Sequence, residues 1–258
     1  MASGFICFTK HGRLGMRDSL PTLKLLNQFD DFKRSIKHMA DFGCGTGKDL
    51  EYWANMREFL EDGTEGPYLD FNCVGFDLNC ENIQPQRHNI KYRNFDLNTN
   101  DTMWSVKFDV VWCHDVMQYI YSPVESLGRV NRNMGMGGML YLAVPSTVNV
   151  LHHRFQHYTP AEHYNTFTVT QLIYLLAING FDVKDFYLQK LKYDDWIQVL
   201  VYKERDPLDY RTTWYTMVDD DLLNDNMKEI VLKNGTLTDQ GLITTWLDGT
   251  VQDYRWHT

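Results

Sequence analysis

The sequence predicts an α/β fold: a mostly parallel sheet with helices on both faces, followed by a C-terminal extension. Three observations predict it. Seven short apolar runs recur along residues 36–202, most separated by helical patterns. Several runs close on a polar residue, as Asp41, Asp77, Asp96 and His114 do. The first run leads through a glycine turn directly into a helix, the arrangement of a βαβ unit.

Residues 1–35 precede the first run. Leu20, Leu23, Leu25, Leu26 and Phe29 are spaced for an amphipathic helix with Pro21 near its start. The first strand is read at 36–42. It ends in Asp41-Phe42-Gly43-Cys44-Gly45-Thr46-Gly47-Lys48, with glycines at alternate positions. Such a turn presents backbone N–H groups, and glycine both permits positive φ and leaves room for a close ligand. The helix that follows places Leu50, Trp53, Ala54 and Leu60 on one face. Residues 61–67 read as an acidic, turn-rich loop.

The second strand, 71–77, closes on Asp77. A carboxylate there can accept both hydroxyls of a ribose. The third, 90–96, closes on Asp96 and runs into the loop Asn98-Thr99-Asn100-Asp101. The fourth, 106–113, is nearly continuous and apolar, as a buried parallel strand should be, with His114 just beyond it. A helix carrying Leu127, Val130 and Met134, a glycine loop at 135–138 and a fifth strand at 139–145 follow. Residues 146–163 are dense in histidine and aromatics, and His157 and His163 are base candidates because an imidazole titrates near neutral pH. His153 and His157 have helical i, i+4 spacing with Glu162 close by, but no metal motif is present and no metal is expected. A helix closed by Asn179-Gly180, then strands at 181–187 and 196–202, complete the sheet.

The G-x-G-x-G spacing after Asp41 differs from the G-x-G-x-x-G of dinucleotide sites, which speaks against a nicotinamide cofactor. It resembles the first motif of the class I methyltransferases that use S-adenosylmethionine. From Phe108 to Pro145 the order of strand, turn, helix, glycine pair and strand is similar to that family too, although Met136 stands where members usually have proline. The resemblance covers about residues 36–203 and implies a Rossmann-like, seven-stranded sheet whose last two strands form a hairpin. It implies S-adenosylmethionine as cofactor, held by Asp41, Gly43, Cys44, Gly45, Gly47, Asp77, Leu78, Asp96, Leu97 and His114. Asp77 would take the ribose and Asp96 the adenine amino group, and the N-terminal helix would cover the cofactor. The family has no universal catalytic residue; His114, His157 and His163 are the candidates here.

The acceptor is expected to be a small molecule methylated at O, N or C. The Asp/Asn-Pro-Pro-aromatic motif of amino-methylating nucleic-acid enzymes is replaced by Cys113-His114-Asp115-Val116-Met117, and no Pro-Cys nucleophile occurs. The net charge of −9 also argues against a broad nucleic-acid footprint. No apolar segment is long enough for a bilayer, the N-terminus is a poor signal peptide, and the five cysteines include no C-x-x-C pair. A cytoplasmic protein with reduced thiols is expected. Residues 1–203 are expected to form the cofactor domain and 204–258 an extension with an acid-led helix at 219–232 and a hairpin near 246–250. Trp246, Tyr254 and Trp256, read as exposed, give a second reading: a catalytically silent assembly module that forms homo-oligomers through 208–258.

Overall fold

The computed structural model describes residues 20–26, 35–59, 64–100, 102–146, 164–190, 196–209 and 211–253. In chain order its elements are α1 (Leu20–Leu26), β1 (His38–Phe42), α2 (Lys48–Ala54), β2 (Arg57–Phe59), β3 (Glu65–Tyr68), β4 (Asn72–Asp77), β5 (Ile90–Asn94), β6 (Phe108–His114), a 3-10 turn (Met117–Tyr119), α3 (Pro123–Asn133), β7 (Met134–Pro145), α4 (Val169–Ile178), β8 (Tyr187–Lys190), β9 (Trp196–Tyr202), α5 (Trp214–Asp219), α6 (Asp225–Asn234), β10 (Ile243–Thr245) and β11 (Val251–Asp253).

Seven strands make the central sheet in the order β5-β4-β1-β6-β7-β9-β8. All neighbours are parallel except β7–β9 and β9–β8. The chain therefore steps outward from β1 through β4 to β5, then returns to place β6 on the other side of β1. That reversal is the switch point at which α/β sheets bind ligands, beyond the carboxyl ends of the strands.

Both faces of the sheet are buried. Strand side chains alternate between them, so Val111 and Cys113 of β6 face one layer while Val110 and Trp112 face the other. The first layer holds α3 and α4, with Leu127, Val130, Leu172 and Leu176; the second holds α1 and α2, with Leu23, Leu26, Leu50 and Trp53. Trp112 has no exposed surface; it stacks on Tyr141 at 3.8 Å and meets Trp53 edge-on at 5.7 Å. Truncating such a residue to Ala typically costs about 3–5 kcal/mol.

Local signals place the helix ends. Thr168 caps α4 by accepting the Gln171 N–H at 3.0 Å. Gly180 ends it at φ +81°, where a Cβ would stand 2.3 Å from the Arg205 carbonyl oxygen.

Three expectations are corrected. The segment 181–187 is not a strand: Asp182 accepts the N–H groups of Lys184 and Asp185, which makes a turn, and β8 begins at Tyr187. The expected loop at 61–67 is strand from residue 65: β3 pairs with β2, and Tyr68 at its end lies between the Arg57 and Arg87 guanidiniums, each 3.9 Å from its ring centre. The acid-led helix expected at 219–232 begins only at Asp225, as α6; α5 has ended at Asp219, and the chain turns between them at Asp221 with φ +57°.

The expected hairpin near 246–250 is present as β10–β11, with the Trp246 N–H on the Thr250 carbonyl. Trp246 itself is buried in the second layer instead of exposed. Met217, Leu223, Met227, Val231 and Leu242 likewise join the first layer. Gln252 exchanges two hydrogen bonds with the Lys190 backbone, which covers the outer edge at β8. Tyr254 and Trp256 lie outside the described residues. Among the described residues no helix is long and apolar enough to cross a membrane.

Candidate functional site

The site is built at the carboxyl ends of β1, β4 and β6. Asp41, near the end of β1, is buried. The chain then turns through Gly43, Gly45 and Gly47 with φ of +71°, +55° and +83°, a left-handed series that disfavours other residues. The loop leans on β4: the Gly43 and Cys44 N–H groups both donate to the Phe76 carbonyl, at 2.7 and 3.0 Å. Asp77 completes the tie. One carboxylate oxygen accepts the Gly45 N–H at 2.9 Å, and the other accepts the Leu78 N–H at 2.8 Å.

Space around the glycines is uneven. A Cβ at Gly43 would stand 2.2 Å from Val116 Cγ2, and one at Gly47 would stand 2.1 Å from the Tyr92 hydroxyl. A Cβ at Gly45 would meet nothing within 4 Å. The loop is thus packed from beneath and open above its middle glycine. Burial pushes the Tyr92 phenol well above its usual range.

His114 forms the far wall. It is buried, and its ring lies nearly parallel to Tyr141 at 6.2 Å and to Trp196 at 5.9 Å. Asp115 follows at φ +65°, its N–H on the Ala143 carbonyl at 3.0 Å and its carboxylate accepting from the Gln118 amide. The backbone carbonyl of Gln118 accepts the N–H groups of Tyr164 and Asn165, at 2.8 and 3.1 Å. This ties the β6 exit to the chain entering α4.

One cleft collects Asp41, Gly43, Cys44, Thr46, Lys48, Asp49 and His114. Asp41, the glycine loop and His114 are brought together as expected, with Asp77 beneath the loop. Thr46, Lys48 and Asp49 were not expected; the only signal for them was adjacency to the last glycine. Asp49 is already committed, accepting the Trp112 indole N–H at 3.0 Å.

The remaining expected residues sit apart. Leu78 is 68% exposed beside Asp77. Asp96 lies two residues past the end of β5, and its oxygens accept the Asn98 N–H at 2.8 Å and the Thr99 hydroxyl at 3.1 Å. Leu97 is buried in the core, with its carbonyl taken by Ser126 and Arg129. His157 and His163, with His153 and Glu162, lie outside the described residues. Among the described residues no group of three or more His, Cys, Asp or Glu is placed to hold a metal ion.

A family model described as a methyltransferase domain matches residues 17–185, more than half of the chain. The chain belongs to the methyltransferase domain family. Its sheet order is that of the class I methyltransferase fold, and the cofactor of that family is S-adenosylmethionine.

Solved methyltransferases share the fold. An S-adenosylmethionine-dependent methyltransferase from Clostridium acetobutylicum is 14% identical, with a TM-score of 0.53 over 73% of this chain and 93% of that one. The Haloferax volcanii chain solved with the Trm112 methyltransferase activator is 14% identical, with a TM-score of 0.51 over 70% of this chain and 91% of its own. Human N-acetylserotonin methyltransferase, solved with S-adenosylmethionine, is 14% identical with a TM-score of 0.50; the match spans 71% of this chain but 52% of the human chain. No curated protein matches by sequence.

Proposed function

We propose that this chain transfers the methyl group of S-adenosylmethionine to a small-molecule acceptor at O, N or C. The observation that carries the reading is the cleft at the β1/β6 crossover, where a buried acid, an open glycine loop and a buried imidazole meet.

The residues fit the cofactor group by group. Asp41 suits the ammonium of its amino-acid tail, and Lys48, on the same cleft, suits the carboxylate. The open space above Gly45 lets a ligand approach the backbone closely. The Asp77 carboxylate spends one acceptor position per oxygen on the backbone, which leaves acceptor capacity for the ribose hydroxyls. Exposed Leu78 offers an apolar face for the adenine, and Asp96 an acceptor for its amino group.

The cofactor supplies a methyl group already activated on a sulfonium, so the protein's task is chiefly positioning. A base is needed only where the acceptor must lose a proton. His114 is the described histidine on the cleft and would hold that proton on its imidazole. An acidic chain favours an uncharged or cationic acceptor. The assembly reading draws no support from Trp246, whose indole is spent on the core.

Calorimetric titration with S-adenosylmethionine and with S-adenosylhomocysteine tests this. Micromolar binding of both is expected. A folded sample that binds neither would overturn the reading.

A further inference from the structure

We propose that Gln198 and Tyr141 bind the methyl acceptor, and that this acceptor is a planar, uncharged molecule bearing a carbonyl oxygen. This rests on the methyl-transfer reading above and names the class of molecule that its cleft takes.

Strand register sets out the site as a row across the sheet. His114 of β6 pairs with Ala143 of β7, Ala143 with Gln198 of β9, and Gln198 with Gln189 of β8. Paired residues share a face, and Trp112, Ala143 and Trp196 put this face in the second layer. His114 is the end of the row that lies on the cofactor cleft. Two strand spacings, about 10 Å, separate the backbone at His114 from that at Gln198, and only the Ala143 methyl stands between them in the row. The rings of Tyr141 and Trp196, nearly parallel to the imidazole, supply flat walls. Flat walls suit a planar acceptor.

The polar groups here are buried, and two of their donors are unused. Gln198 is 6% exposed. Its Oε1 accepts the Gln189 amide at 2.8 Å and the Thr22 hydroxyl of α1 at 3.3 Å. No described residue accepts from its amide nitrogen. Because the oxygen is turned to β8 and α1, the nitrogen on the same carbon is turned back over Ala143, toward His114. Tyr141 lies two residues before Ala143 on the same face. It has no exposed surface, and its hydroxyl meets no partner in hydrogen-bond geometry. A buried donor left unpaired is costly, and native structures pair nearly all of them. Two such donors around one small side chain are accounted for by an oxygen that arrives with the acceptor.

The class of oxygen follows from charge. An amide N–H and a phenol O–H are neutral donors, and no lysine or arginine stands in the row. A carboxylate would be buried there without a counter-charge. A carbonyl oxygen has two lone pairs and can take both donors. It would leave the atom to be methylated at the other end of the row, beside His114.

The test titrates full-length protein, saturated with S-adenosylhomocysteine, with 4-hydroxybenzamide, phenol and 4-hydroxybenzoate in a calorimeter. The amide carries the carbonyl, phenol lacks it, and the benzoate replaces it by a charge. We expect the amide to bind at least tenfold more tightly than either of the others. Gln198→Glu keeps an acceptor for Thr22 and Gln189 but loses the donor, and Tyr141→Phe removes a hydroxyl that bonds to nothing in the free protein. Each variant should bind the amide at least tenfold more weakly while binding S-adenosylhomocysteine like wild type. Should Gln198→Glu fail to fold, Tyr141→Phe decides alone. Amide binding no tighter than that of phenol, or unmoved by the substitutions, would overturn the site. Preference for 4-hydroxybenzoate would overturn the uncharged class. If wild type binds no S-adenosylhomocysteine, the cofactor reading fails, and the same three titrations without it still decide the acceptor site.

Discussion

Replacing Gly47 by alanine tests how the loop is supported from beneath. Two costs add. At φ +83° an alanine pays for left-handed backbone, about 1–2 kcal/mol. Its Cβ would also stand 2.1 Å from the Tyr92 hydroxyl oxygen and 2.8 Å from Cζ, so the ring must shift, an overpacking cost of about 1–3 kcal/mol. Gly47→Ala should therefore lose about 2–5 kcal/mol in wild type, but only the backbone share, about 1–2 kcal/mol, in a Tyr92→Ala background. Urea denaturation followed by tryptophan fluorescence measures all four corners of the cycle. Equal costs in both backgrounds, within about 0.5 kcal/mol, would refute the contact as the reason for glycine. Gly45→Ala is the contrast. With nothing within 4 Å of its Cβ, it should lose only about 1–2 kcal/mol of stability, while its binding of S-adenosylhomocysteine falls sharply.

Three further outcomes are expected. Asp77→Ala should weaken S-adenosylhomocysteine binding by about 1.5–3 kcal/mol, the scale of lost charged hydrogen bonds; unchanged affinity in calorimetry would remove the ribose assignment. Lys203 is 6% exposed and donates to the Asn131 carbonyl at 2.9 Å and the Met134 carbonyl at 3.3 Å, so Lys203→Met should cost about 1.5–3 kcal/mol in urea titration. Asp221 is held down to about 2 by hydrogen bonds from Lys184 and then Lys228. Because the folded value lies below the ordinary 3.8, the stabilisation is present above that value and is lost as pH falls toward 2. Asp221→Asn tolerates the left-handed backbone, so its melting temperature should trail wild type from neutral pH down to about 4 and converge with it near pH 2.

The cofactor half of the fold was legible because its signals are local. An apolar run closing on Asp41 or Asp77 marks a strand end without reference to anything distant. The continuous run at Val110–Cys113 marks a strand buried on both faces. What the sequence hid depends on remote partners. Residues 181–187 alternate like a strand, yet a three-residue turn on Asp182 takes the backbone out of the ladder. The β2–β3 hairpin reads as loop because Arg87, from another segment, helps clamp Tyr68. Asp96 looks like another strand-end acid, but its oxygens organise its own loop. Lys48 carries no motif and joins the site through its place on the cleft. Trp246 reads as a sticky surface until the hairpin folds it into the second layer.

The packing of the C-terminal extension into the first layer has a consequence for biosynthesis. Every element of the proposed cofactor cleft has been translated by Pro145, yet one layer of the core still lacks Met217, Leu223, Met227, Val231 and Leu242. During vectorial synthesis the nascent sheet must wait with that layer incompletely covered, a state prone to misassociation. Ligand binding to the nascent chain should therefore lag behind emergence of the glycine loop and follow emergence of the final hairpin.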